Sequence, residues 1–227
     1  MKPWYNANSK LFQELKSSIA NVYPTLCAQI ENGIVYICGN LILYTPDGKE
    51  LDHYTIEIEL PTNYPQHIPI VRETGRRLPK ISDRHFSKTG NQTEETACLF
   101  LPEERSKYWP MGSTIIDFID GPVKDFFLWQ TDYDLNDGKS RFGARQHADK
   151  GIIEFYKEEI GSEDKTVIKT LLEYLTKKEI KGHWLCYCGS GKKIRDCHIN
   201  KLKELGSKIS CDDAMKSFEV MEKYYKK

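Results

Sequence analysis

The chain has 227 residues, 39% of them hydrophobic and 29% charged, which is enough apolar material for one core and a smaller second domain. Its 33 basic and 33 acidic side chains cancel, so net charge gives no reason to expect nucleic acid or an anionic membrane as a partner. The N-terminal segment lacks the apolar core of a signal peptide, and no run approaches the roughly 18 apolar residues of a membrane span, which favours a cytoplasmic protein.

A helix and an antiparallel sheet are predicted for the first part of the chain. Residues 9–21 are predicted as an amphipathic helix, because their apolar side chains recur at helical spacing. Two β-rich runs, 33–46 and 51–61, flank the turn residues Pro46-Asp47-Gly48 and predict a hairpin. A short strand at 68–72 extends this hairpin into a three-stranded meander.

Residues 79–110 lose this periodicity and fill with Gly, Pro, Asn, Thr and Ser, which predicts a long structured loop. Loops of this length in a compact domain are often functional. Periodicity returns in a helix that begins near Ser113 and is bent at Gly121-Pro122. The polar, turn-rich segment 131–146 follows and indicates a domain boundary or linker.

Helices are predicted for much of the remaining chain. One spans about residues 147–160, and the next begins with an N-cap at Ser162 and ends at Gly182. A last helix over 212–226 places its apolar side chains on one side. We therefore expect three segments along the chain, with the limits 1–135, 136–182 and 183–227.

Three of the seven cysteines crowd into residues 186–197 and are followed by a histidine. In a reducing compartment this spacing indicates a metal site rather than disulfides. The predicted zinc ligands are Cys186, Cys188, Cys197 and His198. Three thiolates and an imidazole form a closed tetrahedral zinc site, and glycines between the two ligand pairs permit a tight turn. The segment resembles the SEC-C zinc motif, and its four ligands leave no open position, so the zinc is expected to fold the segment rather than to catalyse.

Cys98 lies inside the long loop, among polar and acidic neighbours rather than in an apolar strand. That setting favours an exposed, functional thiol, and the alternative is the small buried hydrophobe that a cytosolic cysteine commonly is. Four glutamates nearby in sequence would raise the pKa of the thiol if they were near in space, which disfavours a protease-type cysteine. Cys27 and Cys38, in contrast, have apolar, strand-like surroundings and are expected in the core.

The order of these elements, with a helix, a meander, a loop that carries a cysteine and another helix, resembles that of ubiquitin-conjugating enzymes. The residues at the joints agree with this resemblance, which covers about residues 5–130. The matching positions are Leu60-Pro61, Tyr64-Pro65, Pro69-Ile70-Val71, Cys98-Leu99 and Trp109-Pro110. The resemblance implies an α+β fold of the ubiquitin-conjugating type over 1–135, followed by linker and helices and by a small helical zinc module with a C-terminal helix.

The resemblance also implies that Cys98 accepts an acyl group as a thioester and passes it to an amine. The family places His-Pro-Asn shortly before its cysteine, with the asparagine as hydrogen-bond donor to the oxyanion. This chain has His85 at the histidine position, but neither proline nor asparagine follows it. Asn91 and Ser87 are therefore candidate donors, and His85 itself is a candidate base or donor, with a purely structural histidine as the alternative.

The departure from His-Pro-Asn suggests a bacterial family member, and the resemblance implies partners of two kinds. In antiphage cyclic-oligonucleotide signalling, such a protein acts on the C-terminus of a cGAS-like nucleotidyltransferase. In other bacterial operons, it works with a ubiquitin-like protein and its activating enzyme. The main alternative is a catalytically inactive fold member that serves, with its zinc module, as a protein-binding adaptor, and the oligomeric state stays open.

Overall fold

The computed structural model of the protein describes residues 3–88, 95–141 and 148–225. The strands are β1 Leu26–Glu31, β2 Ile34–Tyr44, β3 Glu50–Leu60, β4 Ile70–Glu73, β5 Phe86–Lys88 and β6 Glu95–Ala97. The helices are α1 Trp4–Ala7, α2 Ser9–Val22, α3 Arg105–Tyr108, α4 Ile115–Phe118, α5 Lys124–Leu135, α6 Ala148–Ile160, α7 Lys165–Leu175, α8 Ile199–Lys208 and α9 Cys211–Tyr224. The chain is therefore α+β, as its sequence predicts. None of the helices in these described ranges combines the length and the apolar character that crossing a membrane requires.

The chain forms two compact units, each made of two separate stretches. The first unit consists of Met1–Leu99 and Tyr108–Ala144, and the second consists of Phe100–Lys107 and Arg145–Lys227. Helices α6 and α7, from the segment predicted as linker and helices, thus belong with the cysteine cluster. The second unit also holds the residues that directly follow Cys98-Leu99.

A four-stranded antiparallel sheet in the order β1-β2-β3-β4 forms the base of the first unit. Strands β2 and β3 alternate between buried and more exposed residues, because successive side chains of a strand point to opposite faces. The inner face is packed with side chains that are at most 2% exposed: Val35, Ile37, Leu41, Leu43, Tyr54, Ile56, Ile58 and Leu60. Phe127 of α5 packs on this face, with its ring 4.7 Å from that of Tyr54.

Strand β1 is a fourth strand that the sequence analysis missed. It joins β2 through the turn Asn32-Gly33, whose φ angles are +49° and +78°. Positive φ at both central residues is typical of a two-residue hairpin turn. The Asn-Gly dipeptide in the sequence therefore could have indicated the β1-β2 hairpin. In the β1-β2 register, Cys27 lies opposite Cys38, and these residues are exposed and partly exposed. Our expectation that both lie in the core is wrong, because the alternation of the strands places them on the outer face.

The region 79–110 contains a second hairpin that the sequence did not predict. Strands β5 and β6 pair antiparallel, with Phe86 opposite Ala97. Each strand has three residues, which is too short for alternation to be recognised. The predicted bend at Gly121-Pro122 is confirmed, since Gly121 has non-helical φ and ψ angles of −93° and −106°. Helix α5 then continues to Leu135, so the first residues of the predicted linker are helical instead.

The second unit is helical, with a core contributed mainly by α6 to α9. Helix α7 begins after Asp164, whose side chain accepts a hydrogen bond from Thr166 N–H at 2.7 Å. The predicted N-cap at Ser162 and the predicted end at Gly182 are therefore wrong, and α8 was not predicted. The core includes side chains that are at most 2% exposed: Ile153, Tyr156, Ile168, Leu171, Leu172, Ile194, Leu202, Leu205, Ala214 and Met221.

Asp52 joins three parts of the first unit through hydrogen bonds. The Arg77 guanidinium donates to both carboxylate oxygens of Asp52, and the Thr131 hydroxyl donates to Oδ2 at 2.8 Å. The Tyr54 hydroxyl lies 2.9 Å from the same Thr131 oxygen. Burial raises the pKa of Asp52, but the hydrogen bonds from Arg77 and Thr131 outweigh it and lower the pKa to about 2. The ionised carboxylate therefore stabilises the folded first unit.

We predict that Asp52→Asn lowers the free energy of unfolding at pH 7 by about 1–2 kcal/mol. Because the pKa of Asp52 is lower in the folded protein, its contribution is complete above about pH 5 and is lost as the pH falls toward 2. Urea unfolding at pH 7 and at pH 3 measures this difference. The control is Asp47→Asn, in an exposed turn, which should leave the unfolding midpoint unchanged. Equal losses for the two variants would contradict the prediction.

Candidate functional site

The four predicted zinc ligands lie together in the second unit. The ligand atoms of Cys186, Cys188, Cys197 and His198 all lie within 4.8 Å of one another. The sulfurs of Cys188 and Cys197 are 3.7 Å apart, and His198 Nδ1 lies 3.2 Å and 3.1 Å from the sulfurs of Cys186 and Cys197. In a tetrahedral site with Zn–S bonds of about 2.3 Å, two sulfurs are about 3.8 Å apart. The group is thus positioned to bind a metal ion.

The first ligand pair is held by a tight turn. The Cys186 N–H donates to the Lys192 carbonyl oxygen at 2.8 Å, and the Gly189 N–H donates to the Cys186 carbonyl oxygen at 3.2 Å. Gly189 and Gly191 have φ angles of +74° and +72°, which lie in the left-handed region that glycine adopts without steric cost. The glycines of the motif therefore let the chain reverse between the two ligand pairs.

The second ligand pair lies at the start of α8. A short 3-10 turn over Ile194–Asp196 precedes it, and the Cys197 N–H donates to the Ile194 carbonyl oxygen at 3.1 Å. Ile194 is fully buried in the core of the second unit, which anchors this turn. The Tyr187 ring belongs to the same core and lies 5.3 Å from the His198 ring. Core packing thus brings the second pair to the first.

The donor set fits a metal ion held for structural purposes. Burial raises the pKa of Cys186 to about 11, whereas a hydrogen bond from the Ser190 hydroxyl leads the interactions that lower the pKa of Cys188 to about 6. A divalent cation favours the thiolate form of both residues and the neutral form of the imidazole. Thiolates and imidazole are soft and intermediate ligands, of the kinds that zinc sites use. A bound ion would link the turn to α8 and add to the stability of the second unit.

Cys98 lies directly after β6 in the first unit, with a partly exposed side chain. Its main-chain N–H donates to the His85 carbonyl oxygen at 2.8 Å, which adds one more pair to the β5-β6 hairpin. The structure therefore brings together Cys98 and His85, two of the three predicted catalytic residues. Asn91 and the side chain of Ser87 lie outside the described part of the chain.

The backbone around His85 is held by α5. His85 has a φ of +56°, which is uncommon for a residue other than glycine, and its ring is buried edge-on against Trp129 at 5.3 Å. The preceding residue, Arg84, forms an ion pair with Asp134, and its carbonyl oxygen accepts a hydrogen bond from Gln130 Nε2 at 2.8 Å. No pattern in the sequence indicates these α5 contacts, because they join residues far apart in the chain. They fix the residue that binds the Cys98 main chain.

Two of the glutamates that follow Cys98 in sequence have partners of their own in the second unit. Glu103 is 2% exposed and is hydrogen-bonded to Ser217 of α9. The Glu104 carboxylate accepts a hydrogen bond from the Leu101 N–H at 3.2 Å. Glu94, another member of the acidic group, lies outside the described residues. From the sequence, Glu103 is expected in a polar loop, and its burial was therefore not predicted.

We predict that Cys188→Ser and Cys197→Ser each abolish metal binding, whereas the wild type retains roughly one ion per chain. Losing one of four ligands leaves three, too few for a closed structural site. Elemental analysis of the purified proteins by mass spectrometry measures the metal content. Cys211→Ser changes another cysteine of the same unit and should keep the metal. Metal retention by both ligand variants would show that the cluster is not the site.

Comparison of the chain with protein-family models, with curated proteins and with solved structures found no match.

Proposed function

We propose that the chain is a cysteine acyltransferase of the ubiquitin-conjugating type, with Cys98 as its nucleophile. The observation that carries the proposal is the position of Cys98, a partly exposed thiol at the end of a hairpin whose main chain is bound by His85. The element order of helix, antiparallel meander, hairpin and helix supports it. Two of the matching joints also meet, since Trp109 Nε1 donates to the Pro65 carbonyl oxygen at 3.0 Å.

The proposed reaction consists of two acyl transfers at Cys98. The thiolate attacks the carbonyl carbon of a donor thioester, and a new C–S bond forms as the donor's C–S bond breaks. The donor leaves as a thiolate and takes up a proton from water. An amine nitrogen then attacks the Cys98 thioester and forms the C–N bond, the Cys98 thiolate departs, and the amine releases its proton to water or to a nearby base.

Each transfer passes through an oxyanion, which needs a hydrogen-bond donor. The main-chain N–H of the nucleophile is a common donor in other cysteine and serine enzymes. Here the N–H of Cys98 already donates to His85, so a side-chain donor is required. We propose Asn91 for this role, because its side-chain amide can donate a hydrogen bond and it lies seven residues before Cys98 in the chain. The burial of the His85 ring against Trp129 supports a positioning role for this residue rather than proton transfer.

The proposed partners come from the resemblance. The acyl donor is the activated C-terminus of a cGAS-like nucleotidyltransferase or of a ubiquitin-like protein brought by its activating enzyme, in bacterial antiphage defence. We further propose zinc as the metal, because three thiolates and an imidazole are a common structural zinc set. Its role is to stabilise the second unit.

An inactive adaptor is the second candidate function, and the burial of His85 favours it. If His85 only supports the loop, then none of the described residues has been assigned as the base that takes up or releases protons beside Cys98. A protein without such a base is better suited to binding than to catalysis. The two candidates make opposite predictions about a covalent adduct, because only the acyltransferase forms a thioester.

We predict that the wild type forms an adduct with one of these proteins on incubation with its activating enzyme and ATP. The adduct should disappear on treatment with dithiothreitol, since thiols exchange with thioesters. Non-reducing gels and mass spectrometry measure it. Cys98→Ala should form none, whereas Cys27→Ala, which changes an exposed cysteine of the same unit, should behave like the wild type. No adduct with any candidate donor would favour the adaptor.

We predict that Asn91→Ala slows the transfer from Cys98 to a lysine by roughly 100-fold or more, because it removes the oxyanion donor. Single-turnover decay of the preformed thioester in the presence of free lysine measures this rate. His85→Gln should slow the same step far less, since the His85 carbonyl oxygen that binds Cys98 remains. The reverse order of effects would transfer the catalytic role from Asn91 to the imidazole.

A further inference from the structure

The chain changes units directly after the proposed nucleophile. Cys98 and Leu99 belong to the first unit, and Phe100–Lys107 belongs to the helical second unit. Within that unit, Leu101 packs against the core of buried side chains. Glu103 follows Cys98 by five residues and lies in the same segment. A contact that keeps this segment in the helical unit therefore restrains the chain close to Cys98.

Glu103 occupies an unusual position for a carboxylic acid. The residue is 2% exposed, and its Oε1 atom is hydrogen-bonded to the Ser217 hydroxyl oxygen of α9. Its Oε2 atom and the Tyr156 hydroxyl of α6 are both buried, and neither makes a hydrogen bond of good geometry within the described ranges. Tyr156 nevertheless lies close enough to Glu103 and Ser217 for both to influence its pKa. The three side chains form a buried polar cluster.

The hydrogen bonds of the cluster indicate the protonation state of Glu103. The Ser217 oxygen is bound both to Glu103 Oε1 and to the Asp213 carbonyl oxygen, 2.9 Å away. Both of these partners are acceptors when Glu103 is ionised, yet a hydroxyl has only one proton to donate. A proton on Glu103 supplies the second hydrogen-bond donor that these contacts need. The acid then donates to Ser217, Ser217 donates to Asp213, and the Tyr156 hydroxyl can donate to Oε2.

The electrostatic surroundings favour the same form. Burial is the largest influence on Glu103 and raises its pKa, and it outweighs the hydrogen bonds with Ser217 and with the Glu103 main chain, which lower the pKa. The nearby carboxylates act in the same direction, from Asp213 on α9 and from Glu104 on its own segment. An ionised, buried carboxylate without a basic partner is costly, whereas a neutral acid in a complete hydrogen-bond network is well tolerated.

We propose that Glu103 is a neutral, buried acid that donates to Ser217, and that it is a positioning residue for Cys98. The contact keeps Phe100–Lys107 in the helical unit and so restrains the chain that leaves the nucleophile. The inference rests on the proposed function only in taking Cys98 as the nucleophile.

The test compares Glu103→Gln with Glu103→Ala and measures alkylation of Cys98 by iodoacetamide. Cys27, an exposed cysteine of the first unit, is the internal reference, and peptide mass spectrometry follows both residues. A glutamine amide donates to Ser217 as the neutral acid does, so Glu103→Gln should keep the wild-type ratio of the two rates. Glu103→Ala should raise the Cys98 rate relative to Cys27 by at least about fivefold, because the main chain that follows the thiol is then less restrained and gives the reagent easier access.

Two further variants keep the test decisive if Glu103→Ala folds poorly. Ser217→Ala removes the acceptor of the proposed hydrogen bond and should raise the same ratio. Glu219→Ala changes an exposed glutamate of the same helix and should leave it unchanged. An unchanged ratio in Ser217→Ala and in folded Glu103→Ala would overturn the positioning role. An equal rise in Glu103→Gln would overturn the neutral acid.

The pH dependence supplies a readout that packing alone does not move. Because the pKa of Glu103 is raised in the folded protein, the neutral form is present at low pH and is lost as the pH rises through that value. The rate of tryptic cleavage after Arg105 in the wild type, divided by the rate in Glu103→Gln, should therefore increase with pH. A ratio that does not change with pH would contradict the neutral acid. These assays need no acyl donor. Failure to form a thioester would thus overturn the proposed function without altering their result.

Discussion

The burial of α5 on several sides is the constraint on which the first unit depends. Phe127 packs against Tyr54 of the sheet, and Phe126 packs against Phe86 of the β5-β6 hairpin with ring centroids 5.5 Å apart. Trp129, on the same helix, supports the residue that binds the Cys98 main chain. One helix therefore carries the sheet core and the candidate active site together. A disturbance of its packing would reach both, because densely packed interiors transmit local strain.

The stability of the second unit depends on how its turn with two cysteines is attached to the helices. This turn is short, and residues 189–193 are exposed, so the turn buries little apolar area of its own. Ile194 and Tyr187 attach the turn to the helical core, and the hydroxyl of Tyr174 on α7 donates to the Leu185 carbonyl oxygen at 2.9 Å. A metal ion at the four ligands would add the remaining link between the turn and α8. In such small modules, metal-binding free energy is largely folding free energy.

Local signals account for what could be predicted from the sequence. The ligand group was found because its members are close in the chain and their spacing has chemical meaning. The long strands and the bend at Gly121 were also recognisable, because alternation and helix-breaking residues act over short distances. The partners of Arg84 and the burial of Glu103 were not, since each depends on a helix far along the chain. The exposure of Cys27 was missed for a related reason, because β1 itself was not recognised.

The same distinction between local and distant contacts explains how a chain without His-Pro-Asn can still hold Cys98 in a defined position. Acyl transfer depends on a nucleophile held in a defined position, since small displacements reduce rates strongly. Before Cys98, the restraint is the hairpin and the His85 carbonyl oxygen, which α5 supports through Arg84. After Cys98, it is the segment that Glu103 holds in the helical unit. On the proposed function, the main chain on both sides of Cys98 positions the nucleophile. A side chain of the loop before Cys98 then has to donate the hydrogen bond to the oxyanion.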